Sequence, residues 1–340
     1  MSGETVSGDP RSGPFSLYQR FIDDGTISEP DGVPDPRRAL PSMVHWMRAL
    51  ALAVEGTGLD FEKALTFYKD VGVASLESRH ENSILEHLLL ALHQLAALRS
   101  METVERQSDI VRVASVSWYY GIYAAATAMI AAQDRSLQEN HAKTANVWHQ
   151  HFVGRARCLY PFDLHVSTLV ETEAAAEIDR CRVGTPKNLL HAPTSEDEAR
   201  DLLCGYLSGT VEWYSWQVRE RLKKSPEFVA RGFTDFRRKE ARSLRDSKLA
   251  GRPVAFIHQA IRFRGKANYR EALYLAHGKT VEGVVSSFTR DMADVLEAFL
   301  GVAGGFAFHR LGADLSRNFL EDIEEHRAFS LSPRSVWSLV

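Results

Sequence analysis

The run from Val113 to Ala132, VASVSWYYGIYAAATAMIAA, carries no charged residue and decides the fold class. It is long enough to cross a bilayer. Alanine is its commonest residue, however, and it holds two serines, a threonine and three tyrosines. Its drive toward lipid is therefore weak. A helix that is apolar nearly all round is better satisfied at the centre of a helical domain, covered by its neighbours. The surrounding helix is expected over Asp109–Gln133.

Outward from this run the pattern stays helical. Upstream, Glu81 to Met101 reads ENSILEHLLLALHQLAALRSM. Ile84, His87, Leu88, Ala91, Leu92, Leu95 and Leu98 recur at helical spacing and make one broad apolar stripe. Earlier helices are expected at Pro41–Glu55, with Pro41 near a start where its missing N–H costs little, and at about Asp60–Asp70. Downstream, Asp134 opens a turn and helix resumes at about Asn140–Phe152. The ETEAAAEID run suggests a short helix, and a Thr194-to-Asp197 capping box would open a long one over Ser195–Lys224. Phe228–Leu249 reads as basic helix, broken by Gly251-Arg252-Pro253. Long helices follow at about Val254–His277 and Val281–Phe308, then one more in the tail. Little β signal and no internal repeat exist. The fold class is all-α, a multi-helix bundle.

The domain plan follows from the breaks. Residues 1–40, rich in Pro, Gly, Ser and Asp, are expected to be extended or partly disordered. Residues 41–155 supply the first half of the bundle core, 156–253 a helical insertion with a basic stripe, and 254–340 the C-terminal helices that complete the core.

Bulk properties bound the rest. The 340 residues are 44% hydrophobic and 25% charged, close to an ordinary globular average. Three scattered cysteines, Cys158, Cys181 and Cys204, form no CxxC pair and no disulfide framework. With no basic-then-apolar leader, a cytoplasmic setting without membrane partners is expected. The net charge of −3 is uneven: Arg219 to Arg252 holds 12 Lys/Arg against 5 Asp/Glu. That stripe fits either a phosphate backbone or a solvated hairpin.

Metal and nucleotide motifs fail on inspection. His277-Gly278-Lys279-Thr280 resembles the end of a phosphate-binding loop, but residue 273 is Leu where glycine is required. His149 and His151 are two apart and point in different directions on a helix. No HExxH or paired-cysteine motif exists, so neither a metal nor a cofactor is expected. The cation run Arg262-Phe263-Arg264-Gly265-Lys266-Ala267-Asn268-Tyr269-Arg270 is more informative. Its four cations in nine residues suit phosphate binding, and the alternative is long side chains reaching out from a helix rim.

Two segments resemble the HEPN family, helical domains of prokaryotic defence and toxin–antitoxin systems. Tyr119, Tyr120, Tyr123, Ala124, Ala125 and Ala126, then a turn and His141, resemble the family's YYAxFHAARALL-like run and the histidine after it. Arg264 to Tyr269 resembles its RxxADY motif, with Asn268 in place of the acid. The resembling segments cover about 109–155 and 255–305, which implies an expanded HEPN-like core with a large insertion. Arg135 and His141, with five residues between, formally fit the family's RxxxxH mark.

The resemblance implies a metal-independent endoribonuclease acting as a homodimer on RNA. In that scheme His141 is the acid–base group and Arg135 the phosphate clamp. Arg262, Arg264, Lys266, Tyr269 and Arg270 hold the substrate backbone. The alternative is a non-catalytic adaptor or sensor for RNA or a regulatory protein partner, with Trp213, Tyr214 and Trp216 as interface candidates. Clustering of Arg135, His141 and Arg264 in one cleft would favour catalysis.

Overall fold

The computed structural model describes residues 36–186, 188–268 and 281–339. The elements in order are α1 (Pro36–Thr57), α2 (Phe61–Phe67), α3 (Ser78–Met101), α4 (Gln107–Asp134) and α5 (His141–His151). A 3-10 turn at Val153–Arg155 follows, then α6 (Glu171–Cys181), α7 (Glu196–Lys223), α8 (Pro226–Ala230) and α9 (Lys239–Leu249). The C-terminal part holds α10 (Phe256–Asn268), α11 (Val281–Val285), α12 (Phe288–Leu311) and α13 (Ala313–His326). Among the described residues there is no strand, and the fold is an all-α multi-helix bundle.

Local chemistry explains the boundaries. Asp60 accepts from the Lys63 amide at 2.8 Å and starts α2. Asn140 does the same for Lys143 at 3.1 Å and starts α5. At α7 the cap is Ser195, which accepts from the Glu198 amide at 3.3 Å, while the Glu198 carboxylate accepts from the Thr194 amide at 3.0 Å. The reciprocal cap thus sits one residue later than the expected Thr194–Asp197 box. α7 ends at Lys223, and Pro226 opens α8 with Ser225 as its cap. The expected helix over Phe228–Leu249 is two pieces, because residues 231–238 turn through Gly232 at φ +68°. Likewise α11 and α12 replace one expected helix. α1 begins at Pro36, so Pro41 lies inside it.

Helices α3 and α4 form a hairpin joined by a short loop, and α12 packs against α4, α3, α1 and α2. The uncharged Val113–Ala132 run lies within α4, with Trp118, Tyr119, Ile122 and Met129 fully buried. Gly283–Leu311 is apolar and long enough to cross a membrane, but 83% of its apolar window is covered by other parts of the chain. Trp46 of α1 ties three helices together. Its ring stacks on Tyr206 of α7 at 4.3 Å and meets Trp118 of α4 edge-on at 5.8 Å. Gly301 and Gly305 let α12 approach α2 at backbone distance; a Cβ at Gly301 would lie 2.9 Å from the Phe61 nitrogen.

The main core draws on residues from Met43 to Trp337, including Phe162, Leu202 and Tyr206 between 156 and 253. That segment also carries two small clusters of its own, one around Ile178, Leu207 and Leu249, the other around Phe228 and Leu244. Its two ends are pinned by an antiparallel bridge, with the Val166 amide donating to the Val254 carbonyl at 2.9 Å and the reverse bond at 3.0 Å. This bridge sets α10 at the head of its path across α4, α5 and α7.

Candidate functional site

The site forms where α10 crosses the α4–α5 corner. Asn140 caps α5 and places His141 at its first position, so the imidazole reaches back over the tyrosines of α4. Tyr119 and Tyr123 are one helical turn apart and so share a face. The Tyr123 ring meets the imidazole edge-on at 4.5 Å, and its hydroxyl donates to the Gln138 carbonyl at 2.8 Å, which fixes the turn between the helices. Tyr120 lies 6.2 Å away and is 41% exposed, so the cluster opens to solvent on that side.

Both imidazole nitrogens are engaged. Nδ1 lies 2.7 Å from the Tyr119 hydroxyl, and Nε2 lies 3.3 Å from NH1 of Arg264 on α10. A guanidinium donates and cannot accept. Nε2 therefore holds the lone pair, and neutral His141 carries its proton on Nδ1 and donates it to Tyr119. The electrostatics agree: burial and then the Arg264 charge hold the His141 pKa below its ordinary value. Burial pushes the Tyr119 phenol well up, against the opposing pull of Arg264, so the phenol stays protonated.

Arg264 is the less satisfied member. Its guanidinium sits over the Tyr119 ring, 5.2 Å from the centroid. Its Nε is buried with no hydrogen-bond partner, and among the described residues no carboxylate pairs with it. A cation held by a ring face and a histidine, rather than by an acid, keeps its capacity to bind an anion.

The other expected site residues fall elsewhere. Arg135 ends α4 in the left-handed region at φ 66°, and its guanidinium donates to the Ser75 carbonyl at 2.7 Å. It makes no contact with His141, so the cation beside the histidine is Arg264. Within α10 the cation run splits by face. Arg262 donates to the Thr210 hydroxyl at 3.3 Å and lies over the Tyr206 ring, toward α7. Lys266 donates to the Ser42 hydroxyl at 3.0 Å, toward α1. Tyr269 and Arg270 lie outside the described residues, as does the side chain of Asn268. Tyr119 was visible in sequence only as part of a tyrosine run. Its one-turn spacing from Tyr123 was the available signal that both face the helix that follows.

Elsewhere, His149 and His165 bring their rings within 5.5 Å, and among the described residues no group of three or more His, Cys, Asp or Glu gathers. No family model matches the chain, and no curated protein or solved structure matches it either.

Proposed function

We propose that the His141–Arg264–Tyr119 cluster is the active site of a metal-independent endoribonuclease, with Arg264 taking the role expected of Arg135. The observation that carries the reading is the pairing of a neutral, half-buried histidine with a guanidinium that has no carboxylate partner. The expected three-residue cluster does not form, since Arg135 turns to Ser75; the reading rests on His141 and Arg264 alone.

The chemistry follows from the donors present. An RNA phosphodiester entering from the Tyr120 side draws Arg264 onto its non-bridging oxygens and thereby frees the Nε2 lone pair. Nε2 then takes the proton of the 2′-OH. The 2′-oxygen bonds to phosphorus, the bond from phosphorus to the 5′-oxygen breaks, and a 2′,3′-cyclic phosphate remains. The departing 5′-oxygen takes a proton from water. Arg264 stabilises charge on the phosphorane oxygens. Tyr119, at hydrogen-bond distance from Nδ1, holds the ring so that Nε2 faces the approaching phosphate.

The test is cleavage of mixed single-stranded RNAs in EDTA, with folding of each variant checked by circular dichroism. His141→Ala and Arg264→Gln should each lose on the order of 10²-fold in rate. Arg135→Gln should retain most of the activity. Undiminished cutting by both site variants would refute the assignment, and no cutting by the wild-type chain would favour an adaptor or sensor reading.

A further inference from the structure

A cleft of about 870 Å³ lies beside α5, bounded by the 3-10 turn, α7 and the loop before α10. That volume lies within the ~300–1,000 Å³ of small-ligand sites. Its lining has a one-sided composition. Arg155 from the 3-10 turn, Arg221 from the end of α7 and Arg252 from the loop all border it, and among the described residues no Asp or Glu does. Among the described residues none of the three has a carboxylate partner: Arg221 donates to the Gln217 side chain and Arg252 to the Lys248 carbonyl. Elsewhere in the basic stripe cations are paired within the chain, as in Lys223 with Glu220 and Arg231 with Glu227. Three segments distant in sequence thus bring uncompensated positive charge to one cavity.

The same cleft carries flat apolar surface. Trp213 and Tyr214 line it as half-buried rings set edge-to-face at 4.7 Å, and the Tyr214 hydroxyl donates to the His258 carbonyl at 3.4 Å, which fixes that ring. His149 borders the cleft with a buried Nε2 that has no hydrogen-bond partner.

We infer that this cleft binds a nucleoside polyphosphate, with the base on the Trp213–Tyr214 surface and the phosphates on Arg155, Arg221 and Arg252. Three guanidiniums without counter-charge match the several charges of a di- or triphosphate better than the single charge of one phosphodiester. Stacking on aromatic faces tolerates any base. The inference does not rest on the reaction at His141.

The test is calorimetric titration of the full chain with ATP, GTP, adenosine, sodium tripolyphosphate and a short oligouridylate. Saturable binding of ATP or GTP is expected, at least about tenfold tighter than adenosine or tripolyphosphate alone. The Arg155→Gln/Arg221→Gln variant should weaken nucleotide binding by at least about tenfold, and because both residues are exposed it should melt like the wild type. Trp213→Ala should weaken ATP binding while leaving tripolyphosphate binding nearly unchanged. No saturation by either nucleotide below about 1 mM would overturn the proposal. So would equal binding by the arginine variant, tripolyphosphate binding as tight as ATP, or oligouridylate binding without nucleotide binding.

Discussion

His258 offers the sharpest test of how the α10 start is held. Its side chain is 5% exposed and fully committed as a neutral ring. Nδ1 accepts from the Ala255 amide at 3.2 Å, and Nε2 donates to the Asn146 side-chain oxygen at 3.1 Å. Ala255 precedes α10 and His258 is its third residue, so the imidazole satisfies a helix-start amide as the glutamate of a capping box would. A proton on Nδ1 would place two donors face to face. Burial, with a contribution from His149, accordingly lowers the pKa from 6.5 to about 3. The sign follows from linkage. Between these values the unfolded chain binds more protons, so the stability contribution is complete above 6.5 and is lost as pH falls toward the folded pKa. The loss reaches about 2 kcal/mol between pH 7 and pH 5. Urea denaturation followed by circular dichroism at the two pH values measures it in the wild type and in His258→Gln. The variant is less stable at pH 7, but its pH dependence should be shallower by about that amount. His149, lowered to about 4 by burial and His165, and the lowered His45 and His141 act in the same direction in both proteins and cancel. Equal pH dependence, or an NMR titration of His258 near its ordinary value, would refute the argument.

Two further outcomes follow from buried charge. Arg264→Gln should raise the pKa of His141, read from its ring C–H shifts, because the neighbouring cation is one of the two causes that hold it down; an unchanged or lowered value would separate the two groups. Asp291 is 1% exposed and is held by Arg48 at 2.9 Å and the Ser287 hydroxyl at 3.2 Å. Arg48→Met should cost about 2–3 kcal/mol at neutral pH, below the full penalty for orphaning a buried charge because Arg48 is itself partly exposed. Adding Asp291→Asn should recover part of that loss, and additive losses in the double variant would refute the coupling.

The bundle was legible where periodicity was strong. Residues 81–101 and the uncharged run gave α3 and α4 to within a few residues, because burial demands a long apolar stripe. Boundaries failed where one residue of backbone chemistry decides them. Ser195 rather than Thr194 caps α7, and the left-handed Gly232 splits the basic segment. The site was half legible. His141 and Arg264 were both singled out, in separate motifs, and only the crossing of α10 over the α4–α5 corner shows that they meet. The spacing of Arg135 from His141 suggested a pair, but the left-handed turn at Arg135 sends its side chain to Ser75 instead. The arginine cleft was not legible at all, since its cations come from three segments and what unites them is that, among the described residues, no acid lines the cavity they share.

The contact between Arg264 and His141 has a consequence for selectivity. At 3.3 Å it is a long hydrogen bond, and it occupies the lone pair that a base must use. A neutral acceptor can replace it only with a hydrogen bond of ordinary strength, whereas a charged oxygen gives the guanidinium a charge-assisted one. An anion gives Arg264 a charged partner and, on the proposed reading, also exposes Nε2 to the 2′-OH. Protonation of His141 breaks the same contact by placing two cations together, and that cost is part of what lowers its pKa. The lowered pKa in turn keeps the ring neutral further into the acidic range, so the base form persists until an anion arrives. Tyr119 limits the alternatives. Its phenol, kept protonated by burial, fixes Nδ1 and lies under the guanidinium, so Arg264 leaves the imidazole without losing the ring face that holds it. On the proposed reading, the cluster holds its base in reserve and becomes basic when a phosphate draws Arg264 away.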